Sequence, residues 1–227
     1  MSNTNKFAII VAGGSGTRMN TDVPKQFLLL HNKPIIVHSI EKFLLADAEI
    51  KIIVVLPKYQ LERWNNLQTD YPFLKQIKTT IGGSSRFESV KNGLNEIDGD
   101  GLVAIHDAVR PLITKNKISE LYLNAEQNGN AIPALPCVDT IRFEKENGNY
   151  ELMNRNKMWL MQTPQCFIIQ QIKDAYLKAK HIDYTDDAAV AEAANYKINL
   201  VMGDKNNFKI TIPEDLELAE LLMSNFN

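Results

Sequence analysis

Three short apolar runs and one short β-branched stretch, each followed by a helix-like stretch, constrain the fold of this chain more than any other feature. Phe7-Ala8-Ile9-Ile10-Val11, Ile50 to Leu56, Ile77 to Ile81 and Leu102 to Ile105 are rich in β-branched residues. Such continuous apolar runs are the pattern of strands buried on both faces. Between them, Pro34 opens a helical stretch with Ile36, Ile40, Phe43 and Leu44 on one face, and Tyr59 to Leu67 reads as helix. Ser85-Arg86-Phe87-Glu88 has a capping-box pattern before Phe87, Val90, Leu94 and Ile97, and Thr114 caps a stretch that buries Ile118, Leu121, Tyr122 and Ala125. Strand and helix in this rhythm predict an α/β fold, a mainly parallel sheet covered by helices on both faces. Ligands of such sheets sit at the carboxyl ends of the strands. The glycine-rich stretch after Val11, then Gly82-Gly83 and Asp107, all fall at such ends and are expected on one edge.

The stretch Val11-Ala12-Gly13-Gly14-Ser15-Gly16-Thr17-Arg18-Met19, with Pro24-Lys25-Gln26-Phe27 after it, carries three glycines in four positions and two fixed cations. Glycines bring bare N–H groups close to a ligand, and with Arg18 and Lys25 the chemistry suits a polyphosphate. Two other glycine motifs fail on residues. A P-loop requires Gly-x-x-x-x-Gly-Lys-Ser/Thr, and no lysine follows Gly16 in that way. A dinucleotide fingerprint requires a third glycine where Met19 stands and an acid ending the second strand, which here ends Val55-Leu56-Pro57-Lys58.

The Ala-Gly-Gly-x-Gly-Thr-Arg-Met…Pro-Lys-Gln-Phe string resembles the signature of nucleotidyltransferases that join a sugar or polyol phosphate to a nucleotide. It is most similar to the cytidylyltransferases that act on 2-C-methyl-D-erythritol 4-phosphate in the non-mevalonate isoprenoid pathway. The resemblance implies a Rossmann-like fold, CTP as nucleotide donor and a polyol phosphate as acceptor. Arg18 and Lys25 are then the groups that stabilise charge at phosphorus, and the amides of Ala12, Gly13, Gly14, Ser15, Gly16 and Thr17 hold the CTP phosphates. Mg²⁺ is implied as the cofactor, held mainly by those phosphates. Gly82-Gly83-Ser84-Ser85-Arg86-Phe87-Glu88-Ser89 resembles the second nucleotide segment, in which Ser84, Arg86 and Ser89 match the positions reading cytosine. Asp107, with Ala108 beside it, is open between ribose, metal and polyol hydroxyls. Arg110 is open between the substrate, a subunit contact and a structural ion pair.

For the acceptor, the resemblance implies Arg155 and Lys209 as catalytic groups positioning the phosphate, with Thr140, Thr163 and Thr185 beside them. Ala12-Gly13-Gly14 departs from the Ala-Ala-Gly of many of these enzymes. The Gly-Gly form also occurs in ribitol 5-phosphate cytidylyltransferases, the alternative acceptor class. Arg155-Asn156-Lys157-Met158-Trp159 with Gln162-Thr163-Pro164-Gln165, and Thr185-Asp186-Asp187-Ala188, favour methylerythritol phosphate. A module that senses nucleotide without turnover is the rival of another class, and the retained Arg18, Lys25, Asp107 and Lys209 weigh against it.

The rhythm breaks after Ala131 to Pro136. Thr140 to Asn154 alternates loosely around Asn147-Gly148, a turn signal, and reads as a projecting hairpin. Residues 1–227 are read as one nucleotidyltransferase domain with a β-arm over about 137–158. Two-stranded ribbons need a partner surface, and the resemblance favours an arm exchanged in a homodimer. Later come an expected helix from about Ile168 to Ala179 and another capped by Thr185. Strands are expected at Ile198 to Met202 and Phe208 to Thr211, and a capping box at Thr211-Ile212-Pro213-Glu214. With 25 basic against 27 acidic residues, no nucleic-acid surface is expected. Two cysteines without metal spacing, no signal-peptide run at the N-terminus and no bilayer-length apolar stretch predict a cytoplasmic protein.

Overall fold

A computed structural model describes residues 4–13 and 23–224. An eight-stranded sheet forms its centre. Four parallel strands come first: β1 (Lys6–Val11), β4 (Lys51–Leu56), β5 (Lys78–Ile81) and β6 (Leu102–Asp107), in the order β5-β4-β1-β6. A small antiparallel pair, β2 (Leu29–Leu30) and β3 (Lys33–Pro34), lies between β1 and β4 in sequence. It turns through His31 and Asn32, both at positive φ. Beyond β6 come β11 (Gln165–Ile168), antiparallel to it, and then β7 (Asn130–Pro136). β7 also pairs with β10 (Trp159–Met161) and with β12 (Leu200–Met202).

Period-two alternation gives β1, β4 and β6 two buried faces. Ala8, Ile10, Ile52, Val54, Leu56 and Ala104 pack on one side against α1 (Ile35–Ala46), α2 (Leu61–Asp70) and α4 (Lys115–Asn128). Phe7, Ile9, Val11, Ile53, Val55, Val103 and Ile105 pack on the other against α3 (Arg86–Asn95), α5 (Ile169–Lys178) and α6 (Asp187–Ala193). A third, smaller cluster joins Leu30, Ile35, Val109 and Ile210 to α7 (Pro213–Ser224). The doubly covered, mainly parallel sheet expected from the apolar runs is present.

Several local expectations change. β7 and β11 belong to the sheet, although Pro133 and Pro136 mark β7 as irregular. Pro133 has no N–H to give, but its carbonyl accepts from Gln162 N at 2.8 Å. Residues 208–211 are not a strand; the segment makes one backbone bond toward the sheet, Ile210 N to Val109 O at 2.9 Å. Asp186, not Thr185, caps α6, accepting from Ala189 N. At α7 the reciprocal acid is Asp215, not Glu214: its Oδ2 accepts from the N–H groups of Thr211 and Ile212 and from the Thr211 hydroxyl. Ser85 and Thr114 cap their helices as expected. The hairpin forms from β8 (Arg142–Glu144) and β9 (Tyr150–Leu152), which pair only with each other among the described residues. Gly148, at φ 76°, closes its turn by donating to Lys145 O.

Candidate active site

The carboxyl ends of β1, β4, β5 and β6 lie side by side. Ala12 N donates to Val55 O at 2.9 Å, Gly82 N to Leu56 O at 2.9 Å, and Ala108 N to Val11 O at 3.0 Å. A cleft of about 250 Å³ opens there, bordered among others by Gly13, Lys25, Arg86, Ser89, Asp107 and Lys209. Lys25 belongs to a 3-10 turn, Lys25–Phe27. The next residue, Gln26, is buried and donates to Ala12 O at 2.8 Å, fastening that turn to the end of β1.

Gly82 and Gly83 are required by close approach. A β-carbon on Gly82 would sit 2.7 Å from Ser89 Oγ, and one on Gly83 would sit 2.2 Å from Glu88 Cβ. The Ser89 hydroxyl accepts from Gly83 N and donates to Ser85 O, locking this loop onto the first turn of α3. Ser84 bonds the Glu88 carboxylate through both its N–H and its hydroxyl, the reciprocal half of the capping box shifted by one residue.

Among the described residues Asp107 is the one carboxylate bordering the cleft, and cations face it from three directions. Lys209 Nζ is 2.9 Å from Oδ2, Arg86 Nε is 3.5 Å from Oδ1, and Arg110 Nε is 3.7 Å from Oδ2. Burial alone would raise its pKa, but Arg86, Lys209 and Arg110 outweigh burial and hold the carboxyl well below its ordinary range. Arg86 in turn makes a two-pronged pair with Asp187, Nη1 to Oδ1 at 3.0 Å and Nη2 to Oδ2 at 2.7 Å. Burial opposes the charge on Arg86, yet Asp187 and Asp107 raise its pKa above the ordinary arginine value.

Beneath Asp107 lies a neutral network. The Thr163 hydroxyl accepts from Asp107 N at 3.0 Å and bonds His106 Nδ1 at 3.1 Å. Burial lowers the His106 pKa to about 4, the Asp107 charge opposing and the Arg110 charge assisting, so the ring is neutral at physiological pH. Among the described residues Nε2 faces only a carbonyl, Arg110 O at 3.3 Å, and so carries the proton; Thr163 therefore donates to Nδ1. Asn207 Nδ2 donates to Thr163 O, and Arg110 Nη1 donates to Asn207 O, both at 2.8 Å. The extended segment leading to Lys209 is thereby tied to the end of β6.

A family model described as 2-C-methyl-D-erythritol 4-phosphate cytidylyltransferase matches residues 7–225. The chain belongs to this family. It is 42% identical over 219 residues to the enzyme of that name from Phocaeicola vulgatus, covering 96% of this chain and 100% of the relative. The Francisella tularensis structure of that name aligns at 32% identity with a TM-score of 0.79, covering 96% of this chain and 99% of the other. A 4-diphosphocytidyl-2C-methyl-D-erythritol synthase structure from Anaerococcus prevotii aligns at 25% identity with a TM-score of 0.83, over 98% of this chain and all of the other.

Of the residues this cytidylyltransferase family implied, Ala12, Gly13, Lys25, Gly83, Ser84, Arg86, Ser89, Asp107 and Lys209 border one cleft. Gly82 and Ala108 stand directly behind it, and Arg110 faces Asp107 from within. Gly14, Ser15, Gly16, Thr17 and Arg18 lie outside the described residues. Thr163 is placed under Asp107, its hydroxyl already committed to two protein groups. Thr185 is exposed on the loop before α6. Thr140 and Arg155 border a different hollow at the base of the β8–β9 hairpin, where Arg155 Nη1 donates to Val138 O at 2.8 Å. Sequence reasoning passed over Gln26 and Asp187 as site residues. Asp187 stood in a recognised string, but nothing in local spacing pairs it with Arg86 across 101 positions.

Proposed function

We propose that this chain transfers the cytidylyl group of CTP to 2-C-methyl-D-erythritol 4-phosphate, releasing pyrophosphate. An oxygen of the acceptor phosphate attacks the α-phosphorus of CTP. A new P–O bond forms as the bond to the β-phosphate oxygen breaks, and the departing pair leaves as pyrophosphate. The attacker is already an anion, so the protein needs no nucleophile; it has to bring two anions together and stabilise charge at phosphorus. The observation that carries this reading is the cleft at the strand ends, bordered by Lys25, Arg86 and Lys209, with Arg86, Lys209 and Arg110 facing the carboxylate of Asp107, on a chain of this family.

Lys25, with Arg18, is assigned to the charge developing at phosphorus, and the backbone around Ala12 and Gly13 to the CTP phosphates. Gly83, Ser84, Arg86 and Ser89 form the side of the cleft assigned to cytosine. Lys209, 37% exposed at its side chain and held by Asp107, is assigned to the acceptor phosphate. No group of three or more metal-ligating side chains occurs among the described residues, and Asp107 is already engaged by three cations. These residues do not fit a protein-held metal, and Mg²⁺ enters the proposal only as the ion CTP carries.

The acceptor hollow is assigned to a shared site. Arg155 and Thr140 stand on an arm whose hairpin, among the described residues, pairs only with itself and which exposes Val138, Phe143, Tyr150 and Leu152, so the arm is read as reaching the partner of a homodimer. No described helix is long and apolar enough to cross a membrane. Cys137 and Cys166 are unpaired, which supports a reducing, cytoplasmic setting.

A pyrophosphate-release assay with CTP tests the reading against two acceptors. Methylerythritol phosphate is expected to be turned over with a kcat/KM at least about tenfold above that for ribitol 5-phosphate. The reverse order would move the protein to the ribitol class, and no turnover with either would end the assignment.

A further inference from the structure

Arg86 holds its place in the cleft because of a carboxylate outside it. Asp187 is fully buried and grips both terminal nitrogens of the guanidinium. Its own position is fixed from two sides. The Tyr176 hydroxyl on α5 donates to Asp187 Oδ1 at 2.6 Å, and the Tyr176 ring stacks on Phe87, the neighbour of Arg86, with centroids 4.6 Å apart. The start of α6 is pinned to β11 through Gln165, whose Nε2 donates to Asp186 and whose Oε1 accepts from Ala188 N. A guanidinium has five N–H donors. Two go to Asp187 and the Nε donor faces Asp107 at 3.5 Å, which leaves two without a partner among the described residues.

We propose that Asp187, steadied by Tyr176, is a positioning residue for the nucleotide: it holds the guanidinium of Arg86 at the cleft with Nη hydrogens left for a ligand, and keeps Arg86 from closing onto Asp107. Buried ion pairs contribute little net stability against apolar replacements, so the pair's value lies in orientation. Without Asp187, the nearest carboxylate for Arg86 among the described residues is Asp107, which Lys209 now holds at 2.9 Å. Arg86 would then turn away from the ligand and compete with Lys209 for that carboxylate. The inference rests on reading the cleft as the CTP site.

The experiment compares wild type, Asp187→Asn, Tyr176→Phe, Arg86→Ala and the Arg86→Ala/Asp187→Asn double variant, with CTP as the varied substrate and thermal unfolding in parallel. Asp187→Asn is expected to raise the CTP KM at least about tenfold with kcat within about threefold of wild type, and Tyr176→Phe to raise KM about threefold. In the Arg86→Ala background, Asp187→Asn should add less than about twofold, because the group it positions is gone. A lowered unfolding temperature with an unchanged CTP KM would make Asp187 purely structural and overturn the proposal. So would full additivity of the two substitutions. If Asp187→Asn does not fold, Tyr176→Phe decides alone, and an unchanged KM there overturns the proposal. A wild-type protein without CTP-saturable turnover would instead overturn the functional reading itself.

Discussion

Asp107 shows how a charge is kept in a nearly closed site. A carboxylate in this position would be costly alone, and Arg86, Lys209 and Arg110 make it affordable. His106, directly beneath, is handled in the opposite way: it is kept neutral. Its folded pKa, near 4, lies below the 6.5 of an unperturbed histidine. As pH falls through 6.5 the unfolded chain takes up a proton that the folded chain refuses, so stability falls with falling pH until about pH 4. The His106 contribution across that window is roughly 3 kcal/mol, and the lowered pKa of His38 acts in the same direction. Asp107, held low, adds acid sensitivity only below its ordinary range. Denaturant unfolding at a series of pH values should show this slope, and His106→Asn should lose most of it at a lower overall stability. A wild-type curve that is flat from pH 7 to 4.5 would show that His106 titrates normally. Asp107 itself was legible in the sequence as a polar residue ending an apolar strand. The neutral support beneath it was not, since Thr163 and Asn207 reach it from 56 and 100 positions away in sequence.

Among the elements, α3 bears most directly on the cleft, since it carries Arg86 at its first turn and Ser89 a turn later. It lies close on the sheet because position 93 is glycine. A β-carbon there would fall 2.8 Å from Ile9 Cγ2 and 3.1 Å from Val55 Cγ2, both on buried strands that cannot yield. Gly93→Ala gains about 1 kcal/mol of helix propensity. It meets an overpacking cost of about 1–3 kcal/mol. A net loss near 1 kcal/mol is expected, seen as a fall in Tm of about 2–4 °C. An unchanged or higher Tm would mean that the helix shifts freely on the sheet. The parallel strands β1, β4, β5 and β6 were legible because each is a β-branched run between recognisable helices. β7, β10 and β11 were not: two prolines interrupt β7, and three- or four-residue strands leave no periodicity to read. The β2–β3 turn was hidden because its two positive-φ positions are His31 and Asn32, with no glycine to announce it. Residues 208–211 carry a strand-like pattern, but Phe208 and Ile210 pack into the α7 cluster and no neighbouring strand takes their backbone.

At the scale of the whole molecule, the cleft holds Lys25 and Lys209, whereas Arg155 and Thr140 border a separate hollow. Both groups fit one reaction if the β8–β9 arm crosses to a partner, and the exposed Phe143, Tyr150 and Leu152 give that arm an apolar surface to bury. The test combines a Lys25→Ala subunit with an Arg155→Ala subunit. Separately, Lys25→Ala should lower kcat by about 10²-fold, because its charge matters most as charge builds at phosphorus. Arg155→Ala should raise the acceptor KM with little effect on that for CTP. With exchanged arms, the Lys25→Ala subunit lends its intact Arg155 to the site that keeps Lys25. One site of the heterodimer is then whole, and the other has lost both groups. Random exchange makes about half the dimers mixed, so roughly a quarter of all sites, and of wild-type activity, should return. With each arm folded onto its own subunit, every site keeps one defect and mixing restores nothing. Activity that stays at the level of the separate variants, after subunit exchange is verified by mass, would confine Arg155 to its own chain and leave the acceptor phosphate to Lys209 and Arg110.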